Sequence, residues 1–180
     1  MRLSFLKHLL NSVVALVEPN RIIVLGSSSL LAHIPSLGGP GQPLEMSLDA
    51  DFLVEPMDEA TANVIKEAMG RESLFEQRFG YYADLLRPDI AETFPAGWES
   101  RLHPMSGYDN VFALDPYDLA IVKLVVGRPK DLELLHALLR LGLLEAEKLQ
   151  QHYHQTPLGE QEMFDAGRNL TLVLRETGGE

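Results

Sequence analysis

The chain has 180 residues, 46% of them hydrophobic and 23% charged, enough to close a full core, so a stapled mini-protein and a disordered tail are both excluded. Its 26 acidic residues against 15 basic ones leave a formal charge of −11, a field that repels nucleic acid and anionic membrane, so any bound polyanion must be met locally by a metal ion or a few placed bases. With no cysteine there is neither a disulfide framework nor a thiolate zinc site, and the six histidines show no metal-ligand spacing, which makes a cytoplasmic setting the expectation.

The amino-terminal stretch Leu3, Phe5, Leu6, Leu9, Leu10, Val13, Val14 and Val17 mimics an export signal, but Lys7, His8, Asn11 and Ser12 interrupt it at helical spacing, so it predicts an amphipathic helix. No apolar run approaches the ~18 residues needed to span a bilayer. Arg21 to Leu25 is short, β-branched and bounded by Gly26, which predicts a buried strand running into a tight turn, and Ser27 to His33 then opens a helix with serine at its cap. Pro35 to Pro43 carries three glycines and three prolines in nine residues and must be a loop.

From Met46 to Glu55 the residues alternate: Met46, Leu48, Ala50, Phe52 and Val54 face one way, and Ser47, Asp49 and Asp51 the other. Asp58 to Gly70 reads as a helix and Gly80 to Leu86 as a strand on which Tyr82 and Asp84 share a face. Arg87 to Trp98 is irregular, with weaker strands at 100–105 and 111–114. Asp115-Pro116-Tyr117-Asp118 is a strong helix start leading to Gly127, a second helix starts near Asp131, and two more lie at about 145–154 and 160–176. The expected class is α+β: a small mixed β-sheet core flanked by helices over residues 1–114, with a C-terminal helical region, 115–180, packed on it as one compact unit.

Four groups of residues can carry chemistry. Asp49 and Asp51, two apart on a strand, project from one face and can share a hard cation such as Mg²⁺; between apolar neighbours they repel one another unless a cation or base neutralises them. The Gly26-Ser27 turn can present backbone N–H groups and a hydroxyl to a phosphate, although it has neither the spacing and lysine of a P-loop nor a Gly-x-Gly-x-x-Gly fingerprint. Lys123 sits in an otherwise apolar helix, where its ammonium either reaches solvent or needs a carboxylate or phosphate partner. The Arg128-Pro129-Lys130-Asp131 block is the main local source of positive charge.

The order strand, Gly26-Ser27, helix, strand with Asp49-x-Asp51, then an acid on a later strand resembles the nucleotidyltransferase superfamily of the DNA polymerase β type. Leu114-Asp115-Pro116-Tyr117-Asp118-Leu119, Lys123 and Gly127-Arg128-Pro129-Lys130-Asp131-Leu132 resemble more narrowly an uncharacterised bacterial branch related to abortive-infection nucleotidyltransferase toxins. The resemblance implies that Gly26, Ser27 and Ser28 hold nucleotide phosphates, that Asp49 and Asp51 bind Mg²⁺, and that Asp84 is the third carboxylate, which activates the attacking hydroxyl. It also implies that Lys123, Arg128 and Lys130 contact the triphosphate. Two departures stand out: Ser27 is followed by Ser28, Ser29 and Leu30 where minimal members often carry a base, and the Gly/Pro loop lengthens the Ser-to-Asp spacing.

The function expected from this likeness is Mg²⁺-dependent transfer of a nucleoside monophosphate from a nucleoside triphosphate to a hydroxyl, in a toxin–antitoxin context with an antitoxin or other protein partner. An RNA end is one acceptor class, though the overall charge does not indicate it. The alternative is a catalytically silent module that keeps the fold and works through a partner protein.

Overall fold

The computed structural model describes residues 1–177; the last three residues of the expected helical region lie outside them. The chain divides into two compact units, one of residues 1–92 and 101–115, the other of residues 93–100 and 116–180.

The first unit is built on a five-stranded sheet. It opens with α1 (Leu3–Val17), whose Leu6, Leu9, Leu10 and Val13 form the buried stripe that the sequence spacing requires. Strand β1 (Arg21–Leu25) is buried from Ile22 onward. A 3₁₀ turn at Ser27–Ser29 passes directly into the short helix α2 (Leu30–His33), and the Gly/Pro segment contains a further 3₁₀ turn at Pro35–Gly38.

Strand β2 (Asp49–Glu55) starts three residues later than the alternation suggests. Met46 and Leu48 stay exposed, 83% and 52% respectively, so the inward half of the pattern begins only at Ala50. Helix α3 (Glu59–Met69) is capped by the Asp58 carboxylate, which accepts from the Thr61 N–H.

The six-residue helix α4 (Leu74–Phe79) is absent from the sequence reading. Its Ser73 hydroxyl caps it by accepting from the Glu76 N–H, and Gly80 ends it at φ +79°. Strand β3 (Tyr82–Leu85) follows. The irregular stretch after it forms 3₁₀ turns at Pro88–Thr93 and Trp98–Arg101, and of the weak strand at 100–105 only β4 (His103–Pro104) survives; β5 is Val111–Ala113.

The strand order is β3-β2-β1-β5-β4. β1 pairs antiparallel with β2 and parallel with β5, β2 pairs parallel with β3, and β4 closes the far edge antiparallel to β5. Helices α3 and α4 make the crossover that a parallel β2–β3 pair needs. This is the mixed sheet with flanking helices of an α+β fold.

The second unit contains α5 (Pro116–Val126), α6 (Pro129–Arg140), α7 (Ala146–Gln155) and α8 (Glu160–Thr177). α6 starts two residues before Asp131, with Pro129 at its first position, where the missing N–H costs nothing. Buried Asn169 of α8 donates from Nδ2 to the Leu124 carbonyl at 2.7 Å and fills the space beside Gly127, whose φ is +64°. No helix among the described residues is long and apolar enough to cross a membrane.

Candidate active site at one end of the sheet

Because β1 and β2 run antiparallel with Leu25 opposite Asp51, the carboxyl end of β1 and the amino end of β2 meet at the same end of the sheet. Gly26 leaves β1 there with φ +55° and ψ −162°, a conformation essentially reserved for glycine. A Cβ built on Gly26 would lie 1.8 Å from Asp51 Oδ2 and 2.8 Å from its carboxyl carbon. The turn therefore presses its bare backbone against the Asp51 carboxylate, and only a residue without a side chain allows that approach.

The three serines after Gly26 have different fates. Ser28 is buried and its hydroxyl donates to the Leu25 carbonyl at 3.2 Å; Ser29 is buried and donates to the Gly26 carbonyl at 2.8 Å. Both hydroxyls tighten the turn from behind. Ser27 is half-buried, and its hydroxyl makes no hydrogen bond to the described residues, so it is the one the turn offers to a ligand.

Asp49 and Asp51 lie two residues apart on β2, both half-buried, with Cα atoms about 6.6 Å apart at the usual strand rise. The Ser47 hydroxyl reaches Asp49 Oδ1 at 3.4 Å. On the other side of β2, the parallel register sets Asp84 beside Asp51 and Tyr82 beside Asp49, so all four side chains leave the same face on strands about 4.8 Å apart. Asp84 is exposed and Tyr82 half-buried.

Burial pushes the Tyr82 phenol up, and the Asp49 charge adds to it; Arg71 pulls the other way. That places a cation within electrostatic range of the ring. Tyr82 had no role in the sequence reading, although its alternation with Asp84 is the signal that places it here.

Two oxygen-donor carboxylates with a third on the next strand suit Mg²⁺, which takes one or two protein carboxylates and completes its shell with water and phosphate oxygens. Among the described residues no group of three or more His, Asp or Glu side chains forms a ready metal cage.

The other sequence candidates belong to the second unit. Lys123 of α5, its side chain 7% exposed, donates from Nζ to Asp131 Oδ1 at 2.7 Å. Arg128 holds the same carboxylate, Nε to Oδ2 at 2.6 Å and Nη2 to Oδ1 at 3.3 Å. Burial pushes the Asp131 carboxyl up, but the hydrogen bonds and charges of Arg128 and Lys123 outweigh it and hold it below the ordinary carboxylate range. Of the two partners that the sequence left open for Lys123, the structure supplies the carboxylate at the start of the next helix. Lys130 is exposed.

The structure thus gathers Gly26, Ser27, Asp49, Asp51 and Asp84 at one sheet end, keeps Ser28 behind the turn, and gives Lys123 and Arg128 a common partner in Asp131. The model of a family described as nucleotidyltransferase of unknown function (DUF6036) matches residues 2–171, and the chain belongs to that family. No curated protein and no solved structure matches it.

Proposed function

We propose that the protein is a Mg²⁺-dependent nucleotidyltransferase that moves a nucleoside monophosphate from a nucleoside triphosphate to a hydroxyl acceptor. The observation that supports this most is the contact of the Gly26 backbone with the Asp51 carboxylate, because it sets a turn able to hold phosphates against a pair of acids able to hold their counter-ion.

Asp49 and Asp51 would hold Mg²⁺, which when bound supplies the positive charge that an acidic protein needs to accept a polyanion. The Ser27 hydroxyl and the amides of its turn bind the phosphates. Asp84, exposed beside Asp51, accepts the proton of the acceptor hydroxyl as its oxygen bonds to the α-phosphorus. The bond from that phosphorus to the bridging oxygen breaks, and the electron pair leaves with pyrophosphate. The likeness of residues 114–132 to abortive-infection nucleotidyltransferase toxins extends the reading to a toxin–antitoxin setting, with a protein partner that restrains the activity.

The test is calorimetric titration of Mg·ATP into the wild type, Asp49→Asn and Asp51→Asn, with a thermal melt of each. Each variant should lose at least about tenfold in affinity, the worth of one charge-assisted contact. Melting temperature should hold or rise, because one of two crowded like charges is gone. Wild-type affinity in either variant, or its unfolding, makes the pair structural and refutes the proposal.

A further inference from the structure

We propose that the outward face of α8 is a self-association surface, and that its partner is a second copy of this chain, whose own α8 lies antiparallel across a two-fold axis near Gly167. All of the residues involved belong to the second unit, and none takes part in the nucleotidyltransferase reading.

α8 has a clear inner side. Ala166, Asn169, Leu170 and Val173 are buried at the i, i+3, i+4, i+7 spacing of one helix face. At ~100° per residue the opposite side carries Glu160, Phe164, Arg168, Thr171 and Arg175, and all five are exposed. A face left to water should be polar throughout. Phe164 is instead 66% exposed on it, and Met163 and Leu172, 38% and 45% exposed, widen the apolar part to either side.

Beside this stripe the surface is hollow. Tyr153 of α7 donates its hydroxyl to the Met163 carbonyl at 2.8 Å, and a Cβ on Gly167 would lie 2.7 Å from that hydroxyl. Glycine therefore lets the phenol reach the α8 backbone. The same missing side chain helps to open a groove of about 570 Å³, lined by Tyr153, Phe164, Gly167 and Thr171 among others.

The charges select the occupant. Glu160 opens the stripe and Arg175 closes it, ~22 Å apart at a rise of ~1.5 Å per residue, and neither makes an ion pair among the described residues. Between them, Arg168 already meets its own Asp165 at 3.4 Å. The stripe is thus acidic at one end and basic at the other. An antiparallel copy centred near Gly167 brings each Glu160 to the other's Arg175 and sets each Phe164 against the other's Thr171, at the edge of its groove. This is the self-matching patch that a two-fold axis requires. A parallel copy would oppose Glu160 to Glu160, and a partner of one sign would match only one end. A contact one helix wide is smaller than a standard interface of roughly 1,600 Å², so the dimer is weak: the apolar contacts hold it and the ion pairs set its direction.

The test is sedimentation velocity of the full chain from roughly 1 to 200 μM, a range that brackets a weak dimer. Salt is held at ~0.15 M, which screens the −11 charge of each copy beyond ~8 Å. Wild type should move from monomer towards dimer as concentration rises, and Phe164→Ser should weaken association at least about tenfold. Glu160→Arg and Arg175→Glu should each weaken it about three- to thirtyfold, because the two-fold counts each reversed pair twice. The double variant Glu160→Arg/Arg175→Glu should recover wild-type association. Because the chain has no cysteine, Arg168→Cys, beside the axis, should cross-link into a dimer on mild oxidation, and Glu160→Cys should not.

A wild type that stays monomeric throughout, a dimer indifferent to Phe164 and to both charge reversals, a double variant without recovery, or a cross-link at Glu160→Cys in place of Arg168→Cys overturns the inference. Should Phe164→Ser fail to fold, the charge reversals and their recovery decide it alone.

Discussion

Replacing Gly26 by alanine tests the contact on which the site is built. Its backbone, at φ +55° and ψ −162°, lies in a region that costs an L-residue roughly 1–3 kcal/mol. The new methyl would also meet Asp51 Oδ2 at 1.8 Å, so the carboxylate must rotate away or the turn must open. Taking the conformational cost at about 2 kcal/mol and the displaced carboxylate at about 1 kcal/mol, the loss is ~3 kcal/mol, a fall in melting temperature of about 6–12 °C for a chain of this size. The assay is a pair of urea denaturation curves, one in the wild-type background and one in Asp51→Ala. Removing the carboxylate makes room for the methyl, so in the second background only the conformational part should remain. Equal losses in both backgrounds, or a loss below about 1 kcal/mol in the first, would refute the close approach and with it the argument that Gly26 is required by Asp51.

Lys123→Met should destabilise the protein by about 3 kcal/mol, the low end for breaking a buried pair because Arg128 still holds Asp131. The sign with pH follows from a carboxyl held below its ordinary range: the contribution is complete above the unfolded value near 4 and is lost as pH falls through the folded one. The gap between wild type and variant in urea melts should therefore be full at pH 6 and narrow below about pH 4; a constant gap contradicts the pairing. Asn169→Ala leaves the Leu124 carbonyl without its side-chain donor and should cost ~1–3 kcal/mol, read from the same melts, whereas a neutral result would mean that water replaces the amide.

Much of the fold was legible because most elements carry their own local signal. The apolar stripe of α1, the β-branched run of β1, and the Asp115-Pro116 start of α5 each need only a few consecutive residues, and each lies where the pattern puts it. Two errors come from the same source. Met46 and Leu48 continue the alternation of β2 in sequence but have no sheet to pack on, and remain exposed; alternation predicts a face only where a neighbouring strand exists. Helix α4 is too short for a periodic stripe and has no buried residue, so its evidence reduces to one serine cap and one glycine stop.

The candidate site was legible in its residues but not in its order. Gly26, Asp49 and Asp51 each stand out locally, and the alternation of Tyr82 with Asp84 shows that these two share a face. Nothing in those segments says which strand lies beside which. The pairing of β2 with β3 is parallel and separated in sequence by two helices, and that of β1 with β5 spans most of the first unit, so both depend on packing across long loops. Yet the proposed chemistry follows from that order, which puts the Gly26 turn, the Asp49–Asp51 pair and Asp84 on successive strands. Register is the most sensitive part. Slipping β3 by one residue against β2 would replace Asp84 beside Asp51 with Ala83 or Leu85 and turn the carboxylate to the opposite face. Buried Ala83 on the inward face opposes that slip, because moving it outward would bring exposed Asp84 into the core. The packing that fixes the fold therefore also keeps the third acid in reach of the pair.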